Sequence, residues 1–491
     1  MPESVLNYID GKWVPAASGR TFESFNPATR ELVARAQDSG PEDLERAVGA
    51  ARAAFDSGEW SRRPGRERAG ALLKLADLLE ANADRFARLI AVEMGKPVRF
   101  ALAREVHAAV DRLRFFAGAA RLVAGEVTMA APDHLLDLTL KEPVGVCGLI
   151  APWNDPVDLP LRKIGAALAA GCTFVLKPST VSPAATMELF KLFDQIPEIP
   201  PGVANGVTGR GERIGEALVA HPLVDKVSFT GGSETGRRIM ELAARNFKRL
   251  SLECGGKAPT IVFADANLDK ALEAVKFGIF LYAGQSCTAG SRLVVEGRVH
   301  DAFLEQLIAA THALKIGDPL DPAVHVGPMV SEHQMNAVLA YVEAGRQEGA
   351  RLVLGGRRMS GGAYARGWYV EPTIFDEARP EMRIAREEIF GPLLSVIPFD
   401  SEEEAVRLAN DNPFGLGSAV WTNDVNRAIR VAKRVRAGDV WVNTHYVRLA
   451  ESPFGGVKQS GVGRELGMAG VEAYLETKRV CFDTSPEFHI K

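Results

Sequence analysis

The sequence predicts an α/β protein of two or three domains built on parallel sheets, and three observations predict it. At 491 residues the chain is too long for one hydrophobic core. Nearly continuous apolar runs of strand length alternate with helix-like segments, the pattern of a parallel sheet covered on both faces. Polar, glycine-bearing segments follow directly on several of those runs, where ligands bind in open α/β sheets.

The elements follow in order. After "SGPED" (39–43), Leu44, Val48, Ala51 and Phe55 recur at helical spacing behind a proline and an acidic first turn. A second amphipathic run over about 64–93 reads as one helix that stops at "MGKP" (94–97). The strand-like runs are "VGVCGLIA" (144–151), "TFVLK" (173–177) and "KVSFT" (226–230), with helices at 158–170 and 233–245. A second α/β set comprises "PTIVF" (259–263), a helix near 267–282, "SRLVV" (291–295), "SAVWT" (418–422) and "DVWVN" (439–443). Segment 121–142 is mixed in character and reads as an excursion from the first set.

Composition excludes several classes. Net charge is −4, which gives no electrostatic reason to expect nucleic acid or an anionic membrane as a partner. Cys147, Cys172, Cys254, Cys287 and Cys481 are spread out without a CxxC pair, which argues for a reducing compartment and against structural zinc. The first residues carry Glu3 and Asp10 where a signal peptide needs a basic start and an apolar run. No uncharged stretch reaches the roughly 18–20 residues that span a bilayer. The chain reads as cytoplasmic, with no metal.

The chemistry is sought just after the strands. In "FTGGSETGRRI" a strand runs into Gly231-Gly232, a helix starts near Ser233, and Gly236 lies in its first turn. Free amides there suit a pyrophosphate, although the spacing is not GxGxxG and a plain tight turn fits equally. "GRGERIGEAL" (209–218), opening on Gly209, has the glycine density but no clean strand before it; it ranks behind "TGGSETG" as a phosphate loop, and Gly209 is kept among the cofactor-binding candidates. Cys287 sits in a run of fifteen uncharged residues between Lys276 and Arg292, where "AGQ" breaks the helix ahead of it.

"PWN" (152–154), "LECGGK" (252–257), "GQSCTAGSR" (284–292), "EEIFGP" (387–392) and "PFGGVKQSGVGRE" (453–465) occur in this order, and their order and spacing resemble the aldehyde dehydrogenase superfamily. The resemblance covers nearly the whole chain. It implies a Rossmann-like cofactor domain (1–122 and 144–252), an α/β catalytic domain (253–450) and a small β oligomerisation segment (123–143 and 471–491) that makes a homodimer or homotetramer. It implies oxidation of a small-molecule aldehyde to the acid with NAD or NADP.

Cys287 matches the family's nucleophile, and the Asn154 amide with the Cys287 backbone N–H matches its oxyanion donors. Read as plain structure, Asn154 is a turn residue and Cys287 a small buried one. Glu253 matches the base that hydrolyses the thioester, which disfavours a coenzyme A-acylating enzyme. Lys163 and Glu465 match residues that relay its proton. A non-catalytic relative that keeps the fold is the rival from another class, and it would be expected to have lost Cys287, Glu253 or Asn154.

For the cofactor, the resemblance points to Lys177 on the adenosine ribose, with Ser179 nearby. It places Trp153 near the pyrophosphate, and Glu388 on the nicotinamide ribose with Phe390 beside it. Thr180 stands where many NAD-preferring members carry a glutamate, so NADP is expected to be accepted, with preference left open. Gly232 with Ser233 departs from the commoner serine–threonine pair. The tunnel candidates are Asp155, Leu159, Arg162, Tyr282 and Tyr446. Arg162 suits a carboxylate-bearing semialdehyde, yet Asp158 at i−4 offers it a partner on the same helix. A polar aromatic aldehyde remains level with the semialdehyde.

Overall fold

A computed structural model describes residues 4–486. Its first large sheet has eight strands. Five of them are parallel: Val146–Ile150, Thr173–Lys177, Ala204–Gly206, Lys226–Thr230 and Arg249–Glu253. Numbered in chain order they lie 3-2-1-4-5, so the order reverses between Val146–Ile150 and Lys226–Thr230. Asn7–Ile9 and Lys12–Val14 add antiparallel strands at one edge, and Gly461–Val462 closes the other.

These strands read as unbroken apolar runs because both faces are covered. Val146, Ile150 and Val175 pack into one cluster with the helices Pro41–Ser57 and Ser233–Ala243. Cys147, Leu149, Phe174 and Leu176 point the opposite way, against Gly65–Ala81, His107–Ala120 and Asp158–Ala170. Strand alternation thus feeds two apolar layers, not one apolar and one wet face.

The second sheet has seven strands. Arg292–Glu296 is its central strand, and Pro259–Val262 lies between it and Gly417–Trp421, all parallel. Leu393–Phe399, Thr373–Asp376 and Asp439–Val442 continue the parallel set, and Arg351–Leu354 is an antiparallel edge. The sequence reading did not single out Thr373–Asp376 or Leu393–Phe399.

Two further differences from the sequence reading have simple causes. The run at 64–93 is two helices, Gly65–Ala81 and Ala83–Met94, because Asn82 leaves helical geometry at φ −108° and ψ 14°. A separate small sheet joins Ser4–Val5, Leu32–Gln37 and Thr21–Phe25. The excursion after residue 121 forms Leu135–Pro143, which pairs antiparallel with Leu475–Asp483 along its whole length. Residues 1–3 and 487–491, which the domain expectations include, lie outside the described residues. Among the described residues no helix is long and apolar enough to cross a membrane.

Candidate active site

The turn that carries Cys287 is built from strained backbone. The helix Leu268–Phe280 starts on Asn267, whose side chain accepts from the Lys270 N–H at 3.0 Å. It ends in Leu281–Gly284, where Tyr282 and Ala283 both take φ 55° and Gly284 φ 70°. Left-handed conformations at non-glycine residues cost about 1–3 kcal/mol each and persist only when the surroundings impose them. Gln285 imposes this one. Its amide donates to the Tyr282 carbonyl at 3.1 Å, and its oxygen accepts from the Val330 N–H at 2.8 Å. A Cβ on Gly284 would overlap the Gly391 carbonyl, so only glycine lets the two backbones meet.

The result is a half-buried Cys287 whose N–H donates to no other group among the described residues. Burial pushes its thiol up to about 12, against the pull of the Arg448 guanidinium. Behind it, a Cβ on Gly256 would fall 2.5 Å from the Cys287 carbonyl oxygen, so that chain also passes at glycine distance. Asn154 is buried just beyond the strand Val146–Ile150, and its amide donates to Asp155 Oδ2 at 3.3 Å. His445 is buried alongside, and burial lowers it to about 3, so its ring is neutral.

Glu253 closes the strand Arg249–Glu253, is 3% exposed, and neither of its oxygens has a hydrogen-bond partner. Buried polar atoms are nearly always paired, so an orphaned carboxyl calls for a reason. Burial and the neighbouring Glu465 hold its pKa well above the carboxylate range, against the opposing pull of Lys163. Lys163 is ion-paired with Glu465 and donates to Ser228 Oγ at 3.1 Å. The structure therefore brings together three of the sequence-predicted residues, Glu253, Lys163 and Glu465, from three separate segments.

A cavity of about 580 Å³ opens at the switch point of the first sheet, with Ile150, Lys177, Ser179, Thr180 and Phe229 in its wall. Burial lowers Lys177 to about 8, and its ammonium donates to the Pro178 carbonyl at 2.9 Å. Gly211, Glu212, Gly215 and Glu216 line it too, opposite Glu234 and Arg238 of the helix Ser233–Ala243. The first four belong to the segment that the sequence reading ranked second, and they reach the site through a wide turn at Gly211–Gly215.

Gly209 itself does not line the cavity and instead packs on Ile214. Gly231, Gly232 and Ser233 lie beside it at the start of Ser233–Ala243, and Ser233 Oγ donates to the Gln459 carbonyl at 3.0 Å. Gly236 faces Cys254, where a Cβ would come within 2.7 Å of the sulfur, so its smallness serves helix–sheet packing. Glu388 accepts from the Gly256 N–H at 3.1 Å, and burial raises it to about 7. Trp153 and Phe390 meet edge to face at 5.2 Å. A hollow at a strand switch point, one buried lysine and a carboxylate beside a Gly-Gly turn fit a dinucleotide.

On the opposite side of the Cys287 turn lies a cavity of about 400 Å³ that includes Asp155, Tyr282, Ser286 and Tyr446. Tyr446 donates to the Gly278 carbonyl at 2.9 Å. Leu159 and Arg162 are buried on their helix and do not line this cavity. Arg162 is engaged by Asp158, at 2.6 and 3.0 Å, as the i,i+4 spacing allowed. Arg112 takes the other oxygen of Asp158, and Lys96 bridges Asp155 and Glu105. Sequence reasoning missed Lys96, Glu105, Arg112 and Arg448, none of which sits in a motif.

The aldehyde dehydrogenase family model matches residues 13–480. Betaine aldehyde dehydrogenase of Bacillus subtilis (strain 168) is 42% identical over 479 residues, covering 98% of this chain and 97% of that protein. Aldehyde dehydrogenase 1 of Tanacetum cinerariifolium is 42% identical over 474 residues, covering 96% and 94%. The crystal structure of betaine aldehyde dehydrogenase from Staphylococcus aureus in complex with NAD+ superposes with a TM-score of 0.97 at 38% identity, covering 99% of this chain and 96% of that one. Sequence agreement from end to end, on the same backbone, makes this chain a member of the aldehyde dehydrogenase family.

Proposed function

We propose that the protein oxidises an aldehyde to its carboxylic acid with NAD+ or NADP+, through covalent intermediates on Cys287 and a final hydrolysis. The observation that carries the reading is Glu253, a buried carboxyl with both oxygens unpartnered. It lies three residues from the Gly256 backbone that faces Cys287. A structural carboxylate would be paired; a base awaiting a water need not be.

At rest the thiol is protonated, since burial holds it near 12. Attack on the aldehyde forms the carbon–sulfur bond of a thiohemiacetal as the sulfur gives up its proton to solvent, and its oxygen finds two donors, the free Cys287 N–H and the second hydrogen of the Asn154 amide. A nicotinamide cofactor, which Lys177 and Glu388 would hold, would supply the hydride acceptor needed to oxidise the Cys287 adduct to a thioester. Glu253 in its ionised form then takes a proton from the attacking water, the carbon–sulfur bond breaks, and the acid leaves while the departing thiolate takes up a proton from solvent. Glu465, paired with Lys163 and with one oxygen unpartnered, lies next to Glu253 to receive its proton in turn.

Thr180 leaves the ribose side of the cofactor cavity without a carboxylate at its own position, so NADP+ is accepted. In the same wall Glu216 is paired with Arg238 and Glu234 with Arg237, which leaves Glu212 as the carboxylate that weighs toward NAD+. The paired strands Leu135–Pro143 and Leu475–Asp483 expose Leu136, Leu140 and Phe482, which supports assembly into a dimer or tetramer through that ribbon.

The test is an aldehyde panel with each cofactor, following reduced cofactor at 340 nm with and without coenzyme A. Turnover without coenzyme A is the expected result. No reduction with any aldehyde would favour a non-catalytic relative, and strict coenzyme A dependence an acylating one.

A further inference from the structure

The 400 Å³ cavity beside Cys287 carries an unbalanced charge. Both carboxylates in its wall are already bound. Asp158 is shared between Arg112 and Arg162, and Asp155 between Lys96 and the Asn154 amide. Burial raises the Asp158 pKa, but Arg112 and Arg162 more than reverse this and hold it below its ordinary value, so it is ionised and neutralised.

Two cations in the wall have no such partner. Arg104 lies at the exposed side over the Phe277 ring at 4.5 Å, and it forms no ion pair among the described residues. Arg448 is half-buried, donates through Nη2 to Thr288 Oγ1, forms no ion pair, and has a buried Nε with no acceptor. Ser286 lines the cavity and Thr288 binds Arg448, so the guanidinium stands beside the residues that flank Cys287. Arg104, Arg112 and Arg448 line the cavity against Asp155 and Asp158, while Lys96 and Arg162 act from behind the wall with Glu105 and Glu465, and Asp439 lies within electrostatic reach of Arg448. Burial raises Glu105 to about 7, against the pull of Lys96, which weakens even that opposition.

We propose that this cavity selects aldehydes that carry a carboxylate a few bonds from the carbonyl, and that Arg448 is the residue that holds it. The inference rests on the Cys287 reaction proposed above. A guanidinium with an unmatched N–H edge suits a planar carboxylate, and a partly dry cavity strengthens the pairing. A quaternary ammonium aldehyde is disfavoured on two counts. It meets a net positive wall, and the tyrosine rings that would cage it already carry protein cations. Lys96 Nζ lies 4.5 Å from the centre of Tyr282, and Arg448 Cζ lies 5.6 Å from that of Tyr446.

The experiment compares kcat/KM for 4-oxobutanoate, its neutral methyl ester and betaine aldehyde in the full-length enzyme. The acid should exceed the ester by about tenfold or more, and the cation should be poorest. In Arg448→Gln the acid-to-ester ratio should fall about tenfold, mainly through KM, and Arg448→Lys should recover part of it. An equal loss on acid and ester, or a wild-type preference for ester or cation, overturns the proposal.

A second readout needs no turnover: the rate of Cys287 alkylation by iodoacetate relative to iodoacetamide, normalised to a free thiol. The ratio should be raised several-fold in the wild type and fall toward the free-thiol value in Arg448→Gln; an unraised ratio overturns the proposal. If no aldehyde is oxidised at all, the proposed reaction fails, while the alkylation ratio still decides the charge of the cavity.

Discussion

Glu253→Gln tests the electrostatics of the site most directly, because stability and chemistry should change in opposite directions. Glu253 is 3% exposed, its oxygens have no hydrogen-bond partners, and burial with Glu465 beside it holds its pKa well above the ordinary 4.5. A carboxyl with a raised folded pKa binds more proton in the folded chain than in the unfolded one. Its contribution to stability is therefore full below 4.5 and is lost as pH rises to the folded pKa. For one group the loss approaches about 1.4 kcal/mol per pH unit within that window. Glutamine cannot ionise, so the variant escapes the loss, and the fixed penalty of burying an unpaired amide cancels from the pH dependence. The assay is the denaturant midpoint of wild type and variant, converted to free energy at pH 5, 6, 7 and 8. As pH rises above 4.5 the gap should move in favour of Glu253→Gln by up to about 1.4 kcal/mol per unit, and level off once the folded pKa is passed. The same variant mixed with aldehyde and cofactor should release one equivalent of reduced cofactor per chain and then stall as the acyl-enzyme. A pH-independent gap would mean that Glu253 is ionised or paired at rest, and the argument from its isolation would fail.

The other expectations concern the remaining parts of the site. Cys287→Ser should abolish aldehyde oxidation and leave cofactor binding, read by fluorescence titration, within about twofold of wild type; retained turnover would remove Cys287 from the mechanism. Thr180→Glu should raise discrimination against NADP+ at least tenfold, about 1.4 kcal/mol; equal losses with both cofactors would show that residue 180 does not read the ribose 2′ position. Lys96→Met strands Glu105 and Asp155 beside each other, and breaking a buried pair in this way costs about 3–5 kcal/mol. Its denaturant midpoint should recover in part on adding Glu105→Gln, and no recovery would argue against a charge-based origin.

What was legible in the sequence was whatever depends on neighbours in the chain. The strands at 173–177 and 226–230 stood out because burial on both faces makes them apolar throughout. The Asp158–Arg162 pair was visible at i,i+4. What stayed hidden depends on distant partners. Arg112 meets Asp158 across 46 residues, Lys96 meets Asp155 across 59, and Arg448 meets Thr288 across 160. No periodicity or spacing carries such pairings, so the charge of the aldehyde cavity had to come from the fold. The segment 209–218 misled for a related reason. The parallel strand before it, Ala204–Gly206, is three residues long and carries Asn205 and Gly206, so no apolar run announced it, yet Gly211 and Gly215 just beyond it line the 580 Å³ cavity.

Residues 253–257 explain how two separate sheets make one site. Glu253 is the last residue of a strand in the first sheet, and Pro259–Val262 opens the second. The short passage between them serves both neighbours. A Cβ on Gly255 would overlap the Glu388 carboxylate, and one on Gly256 would fall 2.5 Å from the Cys287 carbonyl oxygen. The Gly256 N–H also binds Glu388 at 3.1 Å. Glycine at both positions therefore lets the Cys287 turn and the Glu388 carboxylate close onto one strand of backbone. Lys257 follows, buried, with no partner for its ammonium, and burial lowers it to about 7. A side chain in that state is only about half charged near neutrality. The positive field on Cys287 comes from Arg448 and, more weakly, Arg162, while Glu388 on the other side is held by the Gly256 N–H and not by an ion pair.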